Sequence, residues 1–180
     1  MSQIVIVSGP PGSGKSSVCE ALCERYDRTV HLETDGLYAS IRMGFVSPWK
    51  PESDAQNHMV SRATARAASA YAEERFGVFI DGVIGPHLLP DYIDELKSAR
   101  VPIQFVLLLP SVDAVVRRGL SREATIRVSE NLLRRGHDTF ARYGSFAGQT
   151  IDNTEMTPQQ AADAVMDACG TGACLVYTPS

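Results

Sequence analysis

Short apolar runs alternate along this chain with longer stretches in which apolar residues recur at helical spacing. Ile4-Val5-Ile6-Val7, Val30 to Glu33, Val78-Phe79-Ile80, Ile103 to Leu109 and the residues around Ile151 read as strands. Several of them are apolar at successive positions, as strands covered on both faces are. Helical patterns run from about Lys15 to Tyr26, from beyond Thr34-Asp35-Gly36 through Ile41, and from about Asp54 to Phe76, with Asp54 as a candidate N-cap. A last helix, Thr157 to Cys169, opens on Thr157-Pro158, with proline at the first helical position. Met43 to Ser53, which contains Pro48, Trp49 and Pro51, reads as a loop. Strands alternating with helices demand crossover connections, so the expected class is α/β with a mostly parallel sheet.

Composition narrows this picture. A chain of 180 residues, 44% of them hydrophobic, can fill one sizeable core, and neither a repeat nor a low-complexity linker divides it, so a single domain over 1–180 is expected. The net charge of −4 argues against a nucleic-acid partner and against an anionic membrane surface. Met1-Ser2-Gln3 leads straight into a short apolar stretch, without the basic start and long apolar region of a signal peptide. No apolar run approaches the roughly 18 residues of a membrane span. A cytoplasmic protein, monomer or homodimer, is the expectation. Of the four cysteines, Cys19 and Cys23 share a helix face as small buried thiols, while Cys169 and Cys174 flank a Gly-Thr-Gly turn and are either inert or a local disulfide or metal pair.

The most specific signal is Gly9-Pro10-Pro11-Gly12-Ser13-Gly14-Lys15-Ser16, a full G-x-x-x-x-G-K-[ST] match between a strand and a helix. Glycines let successive N–H groups face a phosphate, and the helix N-terminus adds partial positive charge there. Lys15 would reach the β and γ phosphates and the Ser16 hydroxyl would serve Mg²⁺, with Ser17 completing the nucleotide-binding segment. ATP and Mg²⁺ are the implied cofactors. GTP is disfavoured because no N/T-K-x-D guanine motif occurs.

In a parallel sheet, ligands bind at the carboxyl ends of strands. Asp81 closes Val78-Phe79-Ile80 in the manner of a Walker B aspartate and is a candidate metal residue, or a cap before Gly82. Asp35 follows Val30 to Glu33 and could accept the proton of an attacking hydroxyl, or cap the next helix. Arginines crowd the stretch after Leu109, from Arg117 to Arg142, and Arg118 and Arg122 are candidates to neutralise a transferred phosphoryl group. The segment 35–60 should hold the acceptor, with Arg42, Trp49, Lys50, Asn57 and His58 as candidate contacts. His87 could face the same place from beyond Asp81.

These residues resemble the P-loop small-molecule kinases, the group of gluconate kinase, shikimate kinase and chloramphenicol phosphotransferase, and within it uncharacterised bacterial AAA-type ATP-binding proteins. The likeness rests on the P-loop, Thr34-Asp35-Gly36-Leu37, Phe79-Ile80-Asp81-Gly82 and the arginine-bearing segment near Arg118 to Arg135. It implies a three-layer P-loop NTPase fold, with a five-stranded parallel sheet flanked by helices and a lid at about 117–143. It also implies transfer of the γ-phosphate of Mg-ATP to a small acceptor such as a metabolite or antibiotic, with Lys15 and Asp35 catalytic. Asp152 and Thr154 would lie beside the adenine. The P-loop looks much like that of adenylate kinase, but Ser16-Ser17 stands where Gly-Thr is expected, and no nucleoside-monophosphate site is evident. A nucleotide kinase and an NTP-hydrolysing switch without an acceptor are the alternatives.

Overall fold

The computed structural model describes residues 3–121 and 128–179. Its strands are β1 (Ile4–Ser8), β2 (Thr29–Glu33), β3 (Gly77–Gly82), β4 (Ile103–Leu108), β5 (Thr150–Ile151) and β6 (Leu175–Tyr177). The helices are α1 (Lys15–Cys23), α2 (Thr34–Ala39), α3 (Asp54–Glu73), α4 (Leu89–Leu96), α5 (Val112–Leu120), α6 (Glu130–Ala141) and α7 (Pro158–Gly170). Five strands form a parallel sheet in the order β2-β3-β1-β4-β5. The sixth, β6, adds an antiparallel pair at the start of β4, Ile103 to Tyr177 and Gln104 to Leu175.

The unbroken apolar runs are explained by the two faces of this sheet. Ile4, Ile6, Ile80 and Phe105 point into one core with α3 and α4, while Val5, Val7, Phe79 and Val106 point into the other with α1 and α7. Alternate residues thus enter opposite cores, and polar side chains on the central strands stand only near their ends, Ser8 and Asp81 at the carboxyl ends and Gln104 near the start of β4.

Helix boundaries differ from the sequence reading at named places. Asp54 is the first residue of α3 rather than its N-cap; Ser53 holds that position. The helix stops at Glu73 because Arg75 takes φ 65°, and the Phe76 N–H returns to the Tyr71 carbonyl. α1 ends at Cys23, three residues short of Tyr26, and α2 already begins at Thr34. α7 starts as expected, with Thr157 and Gln160 forming a capping box around Pro158. Among the described residues, no helix is long and apolar enough to cross a membrane.

Candidate active site

The P-loop joins β1 to α1 and is shaped by glycines that nothing else could replace. Gly12 and Gly14 sit at φ 85° and 91°, and a Cβ on Gly12 would lie 2.5 Å from the Val115 carbonyl oxygen. Lys15 is buried at the first helical position and donates to the Pro10 carbonyl at 3.1 Å, folded back over the loop it would leave to meet a phosphate. Ser13 Oγ is buried without a hydrogen-bond partner. A ring of backbone N–H groups at a helix N-terminus, a buried ammonium and an unpaired hydroxyl fit a polyphosphate.

Asp81 stands beside this loop, opposite Val7 in the β1–β3 register, and is 5% exposed. It lies within the strand and caps no helix. Burial pushes its carboxyl pKa up, but His31, the Lys15 ammonium and the Ser16 hydroxyl outweigh burial and hold it below its ordinary value. Ser16 and Asp81 therefore face one another, the pair that suits a hard cation. His31, which the sequence reading passed over, brings Nε2 within 3.5 Å of Asp81 Oδ2. Burial alone would lower the imidazole pKa; the neighbouring Asp81 carboxylate, with Glu33 and Glu20, overcomes it and raises the value. Ligand atoms of His31, Glu33 and Asp81 all lie within 4.8 Å of one another. The signal for His31 was its period-two spacing from Glu33 on a strand that neighbours Asp81.

Asp35 enters the same end of the sheet. Glu33 pairs with Asp81 across β2 and β3, and Thr34 closes against the end of β3, since a Cβ on Gly82 would meet Thr34 at 2.7 Å. Asp35 follows in the first turn of α2, exposed, while the N-cap position belongs to Glu33. Its charge reaches Tyr38, whose phenol is pushed up to about 12, mainly by burial and then by Asp35. Tyr38 donates to Asn57 Oδ1 at 2.9 Å, tying α2 to α3.

The segment after α2 is pinned to the start of α3: Gln56 bonds both the N–H and the carbonyl of Val46, and Asn57 donates to the Pro48 carbonyl. Arg42 is exposed and Trp49 is 47% exposed, so both side chains on that anchored loop are open to solvent. His58 is held by Asp91 and lies edge-on to His87, with ring centroids 6.3 Å apart. The loop carrying His87 is fastened next to the P-loop, because the Ser8 hydroxyl both donates to the Ile84 carbonyl and accepts from the Ile84 N–H. Tyr143 reaches the same loop, its hydroxyl 3.2 Å from where a Cβ on Gly85 would stand.

Arg118 lies against the P-loop, its guanidinium 3.9 Å from where a Cβ on Gly14 would stand. On α5, it donates to the carbonyls of Ser13 at 3.5 Å, Asn153 at 2.9 Å and Thr154 at 3.0 Å, locking the loop after β5 to the back of the P-loop. Arg122 lies outside the described residues. Asn153 donates to the same Ser13 carbonyl at 2.9 Å and keeps a buried Oδ1 unpaired. Thr154 gives both its N–H and its hydroxyl to Asp152 Oδ1, and these bonds hold the Asp152 carboxyl below its ordinary pKa. The described part of the 117–143 segment is packed down: a Cβ on Gly136 of α6 would approach Pro11 at 3.3 Å.

The profile of the AAA domain family matches residues 4–143 of the chain. Adenylate kinase of Prochlorococcus marinus (strain MIT 9313) is 30% identical over 132 residues, which make up 68% of this chain and 70% of that enzyme. Among solved structures, the Deinococcus radiodurans tunicamycin resistance protein superposes with a TM-score of 0.70 at 20% identity, covering 98% of this chain and 99% of that one. A sugar kinase from Janibacter sp. HTCC2649 gives 0.69 at 19% identity, covering 94% and 95% respectively. At such identities the two structures share the fold with this chain.

Proposed function

This chain belongs to the AAA domain family and has the fold of P-loop kinases, and on that premise we propose that it moves the γ-phosphate of Mg-ATP to a hydroxyl of a small molecule. The observation that carries the reading is the convergence of Lys15, Ser16, Asp81 and the exposed Asp35 at one end of the sheet. ATP supplies an activated γ-phosphoryl group with ADP as the leaving group. Residues 9–17 bind the phosphates, with backbone N–H groups donated by residues other than Pro10 and Pro11, and Lys15 exchanges the Pro10 carbonyl for phosphate oxygens. Ser16 and Asp81 hold Mg²⁺. Asp35 orients the acceptor hydroxyl and takes its proton, for which an exposed carboxylate at the ligand end of the sheet is suited. Asn153, Thr154 and Arg118 shape the base-binding side, and Arg42, Trp49, His87 and Tyr143 surround the acceptor.

The acceptor class is tested by incubating the protein with γ-labelled ATP and pooled metabolites, aminoglycosides, nucleosides and phenicols. Label appearing on a small hydroxyl compound supports the reading. ATP hydrolysis indifferent to every pool would instead favour an NTP-hydrolysing switch. The identity to adenylate kinase favours a second reading, a nucleotide kinase, and label on AMP or another nucleoside monophosphate in the same assay would establish it.

A further inference from the structure

At the end of α7 the chain turns back through residues 171–173 and enters β6. The turn is closed by three backbone bonds: Thr171 N–H to the Asp167 carbonyl at 3.0 Å, Gly172 N–H to Cys169 at 3.1 Å, and Leu175 N–H to Gly172 at 3.2 Å. Gly172 takes φ 78°, which makes the reversal tight. Its product is a contact between two side chains five residues apart: the Cys169 and Cys174 thiols, both reduced, are hydrogen-bonded to each other. Cys174 is fully buried, and its carbonyl accepts from the core residue Phe105 at 2.8 Å. Cys169 is half-buried and lines a cavity of about 610 Å³ with Gln3, Leu22, Tyr26 and Met166, so one residue of the pair borders a space that admits a small solute.

We propose that Cys169 and Cys174 form a reversible oxidation site, at which a peroxide closes a disulfide that staples β6 to the end of α7. The geometry singles out this pair. Cys19 and Cys23 share a helix face at i, i+4, where Cβ atoms stand roughly 5–6 Å apart, beyond the roughly 3.5–4.5 Å that a disulfide requires. Cys19 is also sealed in the core, and burial pushes its thiol pKa up. In the C-terminal pair the shared proton holds Cys169 up and Cys174 down, so the buried sulfur carries the thiolate character that resolves an oxidised neighbour.

The chemistry balances with hydrogen peroxide as the only added reagent. The Cys169 thiol passes its proton to the Cys174 thiolate beside it as its sulfur attacks peroxide, breaks the O–O bond and becomes a sulfenic acid with release of hydroxide. Cys174 thiolate then attacks that sulfur and expels a second hydroxide. The two thiol protons convert both hydroxides to water, so two thiols and one peroxide yield one disulfide and two waters. Two electrons pass from sulfur to oxygen. The site lies at the starting ends of β1 and β4, away from the P-loop by the length of a strand, so it acts on the anchoring of β6 and leaves the nucleotide site intact.

The test treats the full chain with limiting hydrogen peroxide, quenches it, and titrates thiols in denaturant with peptide mapping. Half of the four thiols present should disappear, mapping should join Cys169 to Cys174, and dithiothreitol should restore them. The oxidised protein should melt about 5 °C higher, because a short loop of the unfolded chain is closed. Cys169→Ser should abolish the bond and Cys19→Ser should leave it. Retention of all thiols, a bond between any other pair, or oxidation of Cys169 to a sulfinic acid without a disulfide overturns the proposal. The wild-type mapping decides the matter even if a cysteine variant folds poorly.

Discussion

Replacing Gly9 by alanine should destabilise the protein far more than its size suggests. Gly9 holds φ 150°, and a Cβ there would stand 2.3 Å from the Leu108 carbonyl oxygen and 2.7 Å from Ser13 Oγ. The Ser13 hydroxyl can turn away; the carbonyl cannot, because Leu108 is fully buried and pairs with Ile151 in the sheet. Carbon and oxygen settle at roughly 3.3–3.6 Å, so the loop or the strand must move by about 1 Å. The disfavoured backbone costs about 1–3 kcal/mol and the overpacking about 1–3 kcal/mol, a middle value of about 4 kcal/mol. At about 2–4 °C per kcal/mol for a chain this long, the melting temperature should fall by about 8–16 °C. Gly44→Ala separates the two causes, because Gly44 also has positive φ, 77°, but nothing lies within 4 Å of its Cβ position. It should lose only the backbone part, about 1–2 kcal/mol. Both proteins are to be melted by circular dichroism and titrated with a fluorescent ATP analogue. If Gly9→Ala melts within error of Gly44→Ala and binds the analogue as wild type does, close packing of the P-loop on β4 is not what requires glycine.

Lys15→Ala should keep the fold and lower turnover roughly 10²–10³-fold, because it removes a charge from the transferred phosphoryl group; steady-state kinetics on a folded variant checks it. Arg118→Ala should raise KM for ATP and lower the melting temperature by a few degrees, since the Thr154 carbonyl loses its donor at about 1–3 kcal/mol while those of Ser13 and Asn153 keep the Asn153 amide and the Met156 N–H. A fall in kcat alone, with KM and melting unchanged, would make Arg118 a lid cation instead. Without added metal, stability should fall at both ends of the pH range. Asp81 has a depressed pKa, so its contribution is complete above the unfolded value near 4 and is lost as pH falls through the lower folded value. His31 has a raised pKa, so its contribution is complete below about 6.5 and is lost as pH climbs through the folded value. Urea melts of wild type and His31→Asn across pH 3–9 check both limbs, and an alkaline limb that persists in His31→Asn refutes the assignment.

Much of this architecture was legible because its strands are continuous apolar runs whose alternate residues enter two cores, as Ile4 and Val5 do. The P-loop was legible for another reason: backbone phosphate binding fixes glycine and lysine spacing in the chain itself. What escaped depends on contacts distant in sequence. β6 is three residues long, with Leu175 40% exposed, and exists because β4 offers it an edge. His31 and Asp81 meet only once β2 pairs with β3. Arg118 looked like one of a crowd of arginines, and only the packing of α5 behind the P-loop gives it three carbonyls to hold. Asp35 could be read as a cap or a base from sequence; the helix takes its N-cap from Glu33 and leaves the Asp35 carboxylate exposed.

That carboxylate is where the proposed mechanism is most exposed to test. Asp35→Asn preserves the size of the side chain and, at an exposed first-turn position, should change stability by less than about 1 kcal/mol. It removes the group that orients and deprotonates the acceptor hydroxyl, a role worth roughly 10²–10⁴ in rate. The decisive measurement is transfer of label from γ-labelled ATP to the acceptor found by the pooled assay, made beside ATP affinity on the same preparation. ATP binding within a few fold of wild type, with transfer reduced at least about a hundredfold, is the predicted result. Full transfer by the Asp35→Asn protein would contradict it and place the base elsewhere.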